Sequence, residues 1–129
     1  MIDSATKRLV RERAGERCEY CHLRQQDEPF YRFHIEHILP RQHGGEDTHE
    51  NLALACYHCN LHKGTNLGAI DPETSSIVLL FNPRTLDWNE HFAIQDTYVR
   101  GITAIGRATV KLLMMNALPR RELRASVQG

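Results

Sequence analysis

Cys18-Glu19-Tyr20-Cys21 and Cys56-Tyr57-His58-Cys59 decide how this chain is read. All four cysteines of the 129 residues fall in these two pairs, each with the same Cys-x-x-Cys spacing. A tight turn of that kind offers two thiolates to one ion, and two such turns complete the tetrahedron that zinc prefers. The spacing predicts one structural Zn²⁺ held by Cys18, Cys21, Cys56 and Cys59. The gap of 34 residues between the pairs exceeds the usual finger spacing of about 15–20, so a further structure is inserted between them. Read alone, the second pair also suits a thiol oxidoreductase, in which a helix N-terminus lowers a thiol pKa. That reading needs a preceding βαβ context and leaves Cys18 and Cys21 without a purpose.

The composition is that of an ordinary soluble domain, with 41% hydrophobic and 25% charged residues. The apolar runs, such as Ile77–Phe81, are too short to span a bilayer. No secretory pattern stands at the N-terminus, and the expectation is a cytoplasmic protein without a membrane partner. The net charge is zero: nine Lys/Arg face ten Asp/Glu in residues 1–65, and seven face six in the remainder. Any nucleic-acid contact must therefore rest on a local patch. Seven of the eight histidines lie between His22 and His62, which concentrates metal-type and acid–base side chains in the first half.

Local patterns predict the elements. Asp3 or Ser4 caps a helix over 4–14, with Ile2, Ala5, Leu9 and Val10 as its apolar stripe and Gly15 as its stop. Phe33–Leu39 reads as a strand ended by Pro40, Leu52–Ala55 as a second strand, and Tyr57–Lys63 as a helix ended by Gly64. Beyond a seam at Gly64–Leu67, a turn at Asp71–Thr74 leads to a strand at Ile77–Phe81. Phe92–Gln95 and Tyr98–Ile102 read as a hairpin across Asp96-Thr97. Thr103 caps a helix over 104–115 carrying Ile105, Ala108, Leu112 and Met115 on one line, and residues 119–127 form a last basic helix. Two domains are expected: a core at 1–65, and an extension at 66–129 packed upon it.

The insert carries His34-Ile35-Glu36-His37-Ile38-Leu39-Pro40, then Gly44-Gly45, then Asn51-Leu52, and it runs into Cys59-Asn60 and Lys63-Gly64. Glu36 and His37 are neighbours on a strand and point to opposite faces. Asn60 is fixed by the knuckle that precedes it. A carboxylate and an amide oxygen suit Mg²⁺ or Mn²⁺ better than zinc.

In order, spacing and residue type, residues 12–64 resemble the HNH endonuclease family. The resemblance implies an α+β fold: a zinc-stapled ββα-metal core, here with an N-terminal helix and a C-terminal α/β extension. It implies a DNA endonuclease that hydrolyses phosphodiester bonds with one divalent metal, Mg²⁺ or Mn²⁺, acting on double-stranded DNA from its minor-groove side. His37 matches the general base, Glu36 and Asn60 the ligands of the catalytic cation, and Asn51 the central asparagine that braces the loop holding the base. The acid is Glu36 where Asp is common, and the last position is Asn60 where the family name implies His. A weaker likeness to extensions of small prokaryotic HNH proteins lies around Phe81-Asn82-Pro83-Arg84 and Gly106-Arg107-Ala108-Thr109.

Blander readings stand beside these. His34 shares a strand face with Glu36 and either extends the metal site or is an exposed edge residue. His58 and His62, one turn apart, could hold a cation between them. Lys63 and Arg41 read as phosphate contacts or as solvated charges. Leu112, Leu113, Met114 and Met115 read as core or interface, and Trp88 as packing. The alternative to the nuclease is a non-catalytic zinc-stapled module that binds nucleic acid or protein.

Overall fold

In the computed structural model, which describes residues 1–128, the chain divides into two units, Met1–Thr65 and Asn66–Gly129. The first unit opens with α1 (Ser4–Arg13). Asp3 caps it by accepting from the Thr6 amide at 2.7 Å, and Gly15 takes the positive φ of 64° that ends it. Of the stripe expected on α1, only Val10 is fully buried, and Leu9 is 38% exposed. The helix is seated instead by guanidinium groups on backbone carbonyls. Arg11 donates to Phe33 O at 2.9 Å, and Arg13 donates to His49 O at 2.9 Å and to Leu52 O at 2.7 Å. A helix held through polar side-chain tips needs no wide apolar face, which is why the periodicity overstated its burial.

Strands β1 (His34–His37) and β2 (Leu52–Ala55) pair antiparallel, with Glu36 opposite Ala53 and His37 opposite Leu52. All four residues of β2 are buried. The Cys18–Cys21 knuckle covers β2 further along: the Glu19 amide donates to Leu54 O, and the Leu54 amide donates to the Glu19 carboxylate, both at 2.8 Å. β2 runs directly into α2 (Tyr57–Lys63). The Cys56 sulfur caps that helix by accepting from the Cys59 amide at 3.3 Å. β1 is shorter than the expected Phe33–Leu39, because Pro40 starts a tight turn at Arg41–His43.

In the second unit, β3 (Gly68–Ile70) pairs with β4 (Ile77–Leu79). Gly68 and Ala69 have little strand propensity, so β3 was not legible. The turn between them is built on Asp71, whose carboxylate accepts from the Glu73 amide at 3.1 Å and from the Thr74 hydroxyl at 2.7 Å. Arg107 grips the same buried carboxylate with two bonds of 2.9 Å. That fork holds the Asp71 carboxyl well below the usual carboxylate range.

A short helix α3 (Trp88–His91), capped by Asp87, precedes β5 (Phe92–Gln95) and β6 (Tyr98–Gly101). Thr103 caps α4 (Ala104–Leu112). Its buried residues are Gly106, Ala108 and Thr109; of the expected line, Ala108 and Met115 are buried, and Ile105 and Leu112 are half-buried. Met115 and Leu113 are core, whereas Met114 is 49% exposed. Trp88 packs against Phe92 with ring centroids 5.1 Å apart. α5 (Leu118–Gln128) is anchored by Arg124, which donates to Thr97 O and Met115 O at 2.6 Å each. Among the described residues, no helix is long and apolar enough to cross a membrane.

Close backbone approach fixes Gly106. A Cβ there would lie 2.0 Å from His91 O, a carbonyl that also accepts from the Ile102 amide at 2.9 Å. Gly106→Ala should therefore destabilise the second unit by about 1–3 kcal/mol, the usual cost of overpacking. Urea unfolding followed by the fluorescence of Trp88, the only tryptophan, measures it. An unchanged midpoint would show that α4 can shift freely.

Candidate metal centre and catalytic residues

The four cysteine sulfurs all lie within 4.8 Å of one another, and all four residues are buried. Two short local structures bring them there. The Cys18 amide donates to Leu23 O at 2.8 Å and Cys18 O accepts from the His22 amide at 3.0 Å, which folds the first knuckle. The start of α2 supplies the second. The Cys21 and Cys56 sulfurs are 3.8 Å apart. This is far beyond a disulfide bond of about 2.05 Å. It matches the edge of about 3.75 Å in a tetrahedron whose zinc–sulfur bonds are about 2.3 Å.

Burial pushes the Cys18 thiol well up, and the hydrogen bond with Cys18 pushes Cys59 the same way. Four thiolates at this distance repel one another without a cation, and a bound divalent ion reverses that balance. The donor set therefore fits zinc, with no position left open for chemistry. Because all four sulfurs converge, Cys56 and Cys59 do not stand apart as a redox pair.

Tyr20, between the first two cysteines, is fully buried and carries its hydroxyl to the Glu36 carboxylate, to which it donates. The other Glu36 oxygen pairs with Lys63 Nζ at 3.2 Å. Glu36 is only 6% exposed and Lys63 only 2%. Burial raises the Glu36 carboxyl above its ordinary range, and the Lys63 charge opposes the rise. Lys63 also donates to His37 O at 3.3 Å and Ile38 O at 3.1 Å. It is thus an internal strut between α2 and the end of β1, not a phosphate contact or a solvated charge. Asn60 lies one turn before Lys63 and is half-buried. Its side-chain amide makes no hydrogen bond among the described residues.

His37 faces the other side of β1. Its Nε2 is 2.6 Å from Asp47 Oδ1. Arg41 holds the same carboxylate at 3.0 and 3.1 Å. Its hydrogen bonds to His37 and then to Arg41 bring the Asp47 carboxyl down to about 2. An ionised carboxylate only accepts hydrogen bonds, so Nε2 carries the proton that meets Asp47. In the neutral ring, the free lone pair is then on Nδ1. His37 lines an open cleft of about 550 Å³ together with Lys7, Arg11 and Arg41.

Asn51 braces the loop that carries Asp47. Its side-chain oxygen accepts from the Leu39 amide at 2.8 Å, and its amide donates to Leu39 O at 3.0 Å and Glu46 O at 2.9 Å. Gly45 is required beneath it, since a Cβ there would lie 1.7 Å from Leu39 O and 2.9 Å from Asn51 Nδ2.

Residues 18–66 match the family model of the HNH endonucleases. No curated protein and no solved structure shows a significant match to the chain. The HNH region thus contains the cysteine cluster and every residue expected to act in catalysis. Within it the structure separates two groups. Glu36 points inward beside Lys63 of α2, while His37 with Asp47 and Arg41 lies on the opposite face of the strand.

His34 is exposed, with its ring 6.1 Å from that of Tyr57, which stacks on Tyr31. His58 and His62 have ring centroids 4.3 Å apart, and His62 Nδ1 bonds to His58 O at 2.9 Å, so that nitrogen is already engaged. Asp47 was not singled out by the sequence. It sits ten residues from His37 in a loop whose composition signals only a turn, and nothing local marks it.

Two outcomes follow from this geometry. Thiolate–zinc binding contributes roughly 10–16 kcal/mol in small zinc domains, as much as a whole domain's stability. Cys18→Ser should therefore yield an insoluble or unfolded first unit, read by circular dichroism and metal content; a folded variant without zinc contradicts the zinc assignment. Lys63→Met leaves Glu36 as an unpaired buried carboxylate and should cost about 3–5 kcal/mol. With its folded-state pKa raised, Glu36 then binds more protons folded than unfolded, so stability falls as pH rises through the carboxylate range and recovers below it. Thermal melts across that range check the sign, and a loss independent of pH would mean that Glu36 is not the cause.

Proposed function

We propose that the HNH region is a zinc-stapled ββα-metal unit that hydrolyses phosphodiester bonds in double-stranded DNA, with His37 as the general base. The observation that supports this most directly is the imidazole oriented by Asp47 beside an open, cation-lined cleft. In the hydrolysis, His37 Nδ1 takes a proton from water, the water oxygen forms a bond to phosphorus, and the bond to the 3′ oxygen breaks, that oxygen keeping the electron pair and taking a proton from solvent. Asp47 keeps the ring in the productive tautomer and balances the positive charge that His37 gains. Asn51 holds the loop on which Asp47 sits.

The family resemblance calls for Mg²⁺ or Mn²⁺ with Glu36 and Asn60 as ligands; such an ion, when bound, neutralises charge at the scissile phosphate. In the arrangement described above Glu36 does not fit that role. Both of its oxygens are engaged, it is closed to solvent, and its charge is already paired with the Lys63 ammonium. The Glu36–Lys63 pair is also the observation that favours the second reading, a zinc-stapled module that binds nucleic acid or protein without cutting it.

Conversion of supercoiled plasmid to open circles, with Mg²⁺ or Mn²⁺ added to zinc-loaded protein, separates the two readings. A general base contributes typically 10²–10⁴-fold, so His37→Ala should slow nicking by that factor while zinc content and DNA affinity are unchanged. Equal nicking by wild type and His37→Ala would remove His37 from the mechanism. No nicking by either would leave the binding module.

A further inference from the structure

Zero net charge requires any nucleic-acid contact to come from a local concentration of positive charge, and the first unit has one. Lys7 and Arg11 are one turn apart on α1, and both line the cleft that His37 opens into. The same two side chains line a second cleft of about 490 Å³, together with Arg8 and Arg32. The two clefts therefore adjoin at Lys7 and Arg11; taken together as a groove, they are lined from Arg41 and His37 past Lys7 and Arg11 to Arg8 and Arg32. Glu12 and Glu16 also line its far part, and Asp47 lies at its near end, where it is paired with Arg41 and hydrogen-bonded to His37. Lys7, Arg8 and Arg32 are exposed and have no ion pair among the described residues.

Arg11 is the telling member. One of its terminal nitrogens donates to Phe33 O at 2.9 Å. The other, Nη1, is buried and has no hydrogen-bond partner among the described residues. Burial lowers the Arg11 pKa, and the neighbouring charge of Arg32 lowers it further, with only Glu16 opposing. A buried, unmet donor on a guanidinium beside a second guanidinium is costly, and an anionic oxygen would relieve both the unmet bond and the repulsion.

We infer that this groove is the track for the phosphate backbone of duplex DNA, with Lys7, Arg8, Arg11 and Arg32 as its phosphate contacts. Repeating phosphodiester charges match a row of cations better than a single small anion does, and forked guanidinium donors suit phosphate oxygens. The choice of DNA as the polyanion rests on the proposed role of His37, which stands at one end of the groove; the groove itself does not.

The test uses zinc-loaded full-length protein and a fluorescein-labelled DNA duplex, with affinity measured by anisotropy between about 50 and 200 mM salt, without added Mg²⁺. The triple variant Lys7→Ala, Arg8→Ala, Arg32→Ala changes only exposed side chains. It should bind more weakly, with a salt dependence of log K shallower by about 0.9 for each phosphate that the variant no longer neutralises. A control triple variant of equal charge change, Arg17→Ala, Arg100→Ala, Lys111→Ala, should keep the wild-type slope. An unchanged slope in the first triple variant overturns the proposal, as does an equally shallow slope in the control. Displacement of the duplex by polyglutamate of equal charge, or tighter binding of an RNA duplex, overturns the assignment to DNA. If wild type nicks plasmid but the first triple variant keeps its slope, the groove fails and the nuclease reading stands. If nothing is nicked but the slope falls, the nuclease reading fails and the groove stands.

Discussion

The first unit depends on four thiols drawn within 4.8 Å of one another. Each consequence follows by a short covalent step. Cys56 is at once a member of the cluster and the cap of α2, so the site sets where that helix begins. Tyr20 is enclosed between Cys18 and Cys21, so folding the knuckle carries its hydroxyl to Glu36. Lys63, at the far end of α2, then meets the same carboxylate and the carbonyls that end β1. The cluster thereby settles the relation between the hairpin and the helix that carry Glu36 and Lys63. With only short strands and few large buried side chains in these 65 residues, an ion bridging the two knuckles would supply cohesion that the apolar core alone lacks.

The legible part of the fold was the part written in local chemistry. The cysteine spacing, the caps at Asp3 and Thr103, the stops at Gly15 and Gly64, and the strand at Leu52–Ala55 each act within a few residues. What escaped was set by distant partners. Strand β3 exists because β4 pairs with it, not because Gly68-Ala69-Ile70 favours extension. On α4 the polar Thr109 is buried beside the expected apolar line because its hydroxyl accepts from the Phe81 amide.

The candidate site shows the same division. Alternation along β1 was enough to place Glu36 and His37 on opposite faces. It could not reveal that Glu36 is closed off by a tyrosine and a lysine, since neither is near it in sequence. Nor could it reveal Asp47, which is selected by the fold of the loop that Asn51 and Gly45 shape. Arginine plays an unexpected structural part throughout: Arg11, Arg13 and Arg124 tie helices to backbone carbonyls. The charge balance of the sequence treats them as surface cations, whereas the geometry uses some of their donors as internal fastenings. Arg11, with one donor fastened and one unmet, belongs to both categories.

That one zinc ion, ligated by four thiolates, organises the first unit is the claim on which the rest turns. X-ray absorption at the zinc edge of the purified full-length protein tests it most directly. One zinc per chain is expected, with four sulfur neighbours at about 2.3 Å and no nitrogen or oxygen bound to the metal. Zinc carrying nitrogen or oxygen ligands, or a folded protein without zinc, would contradict it.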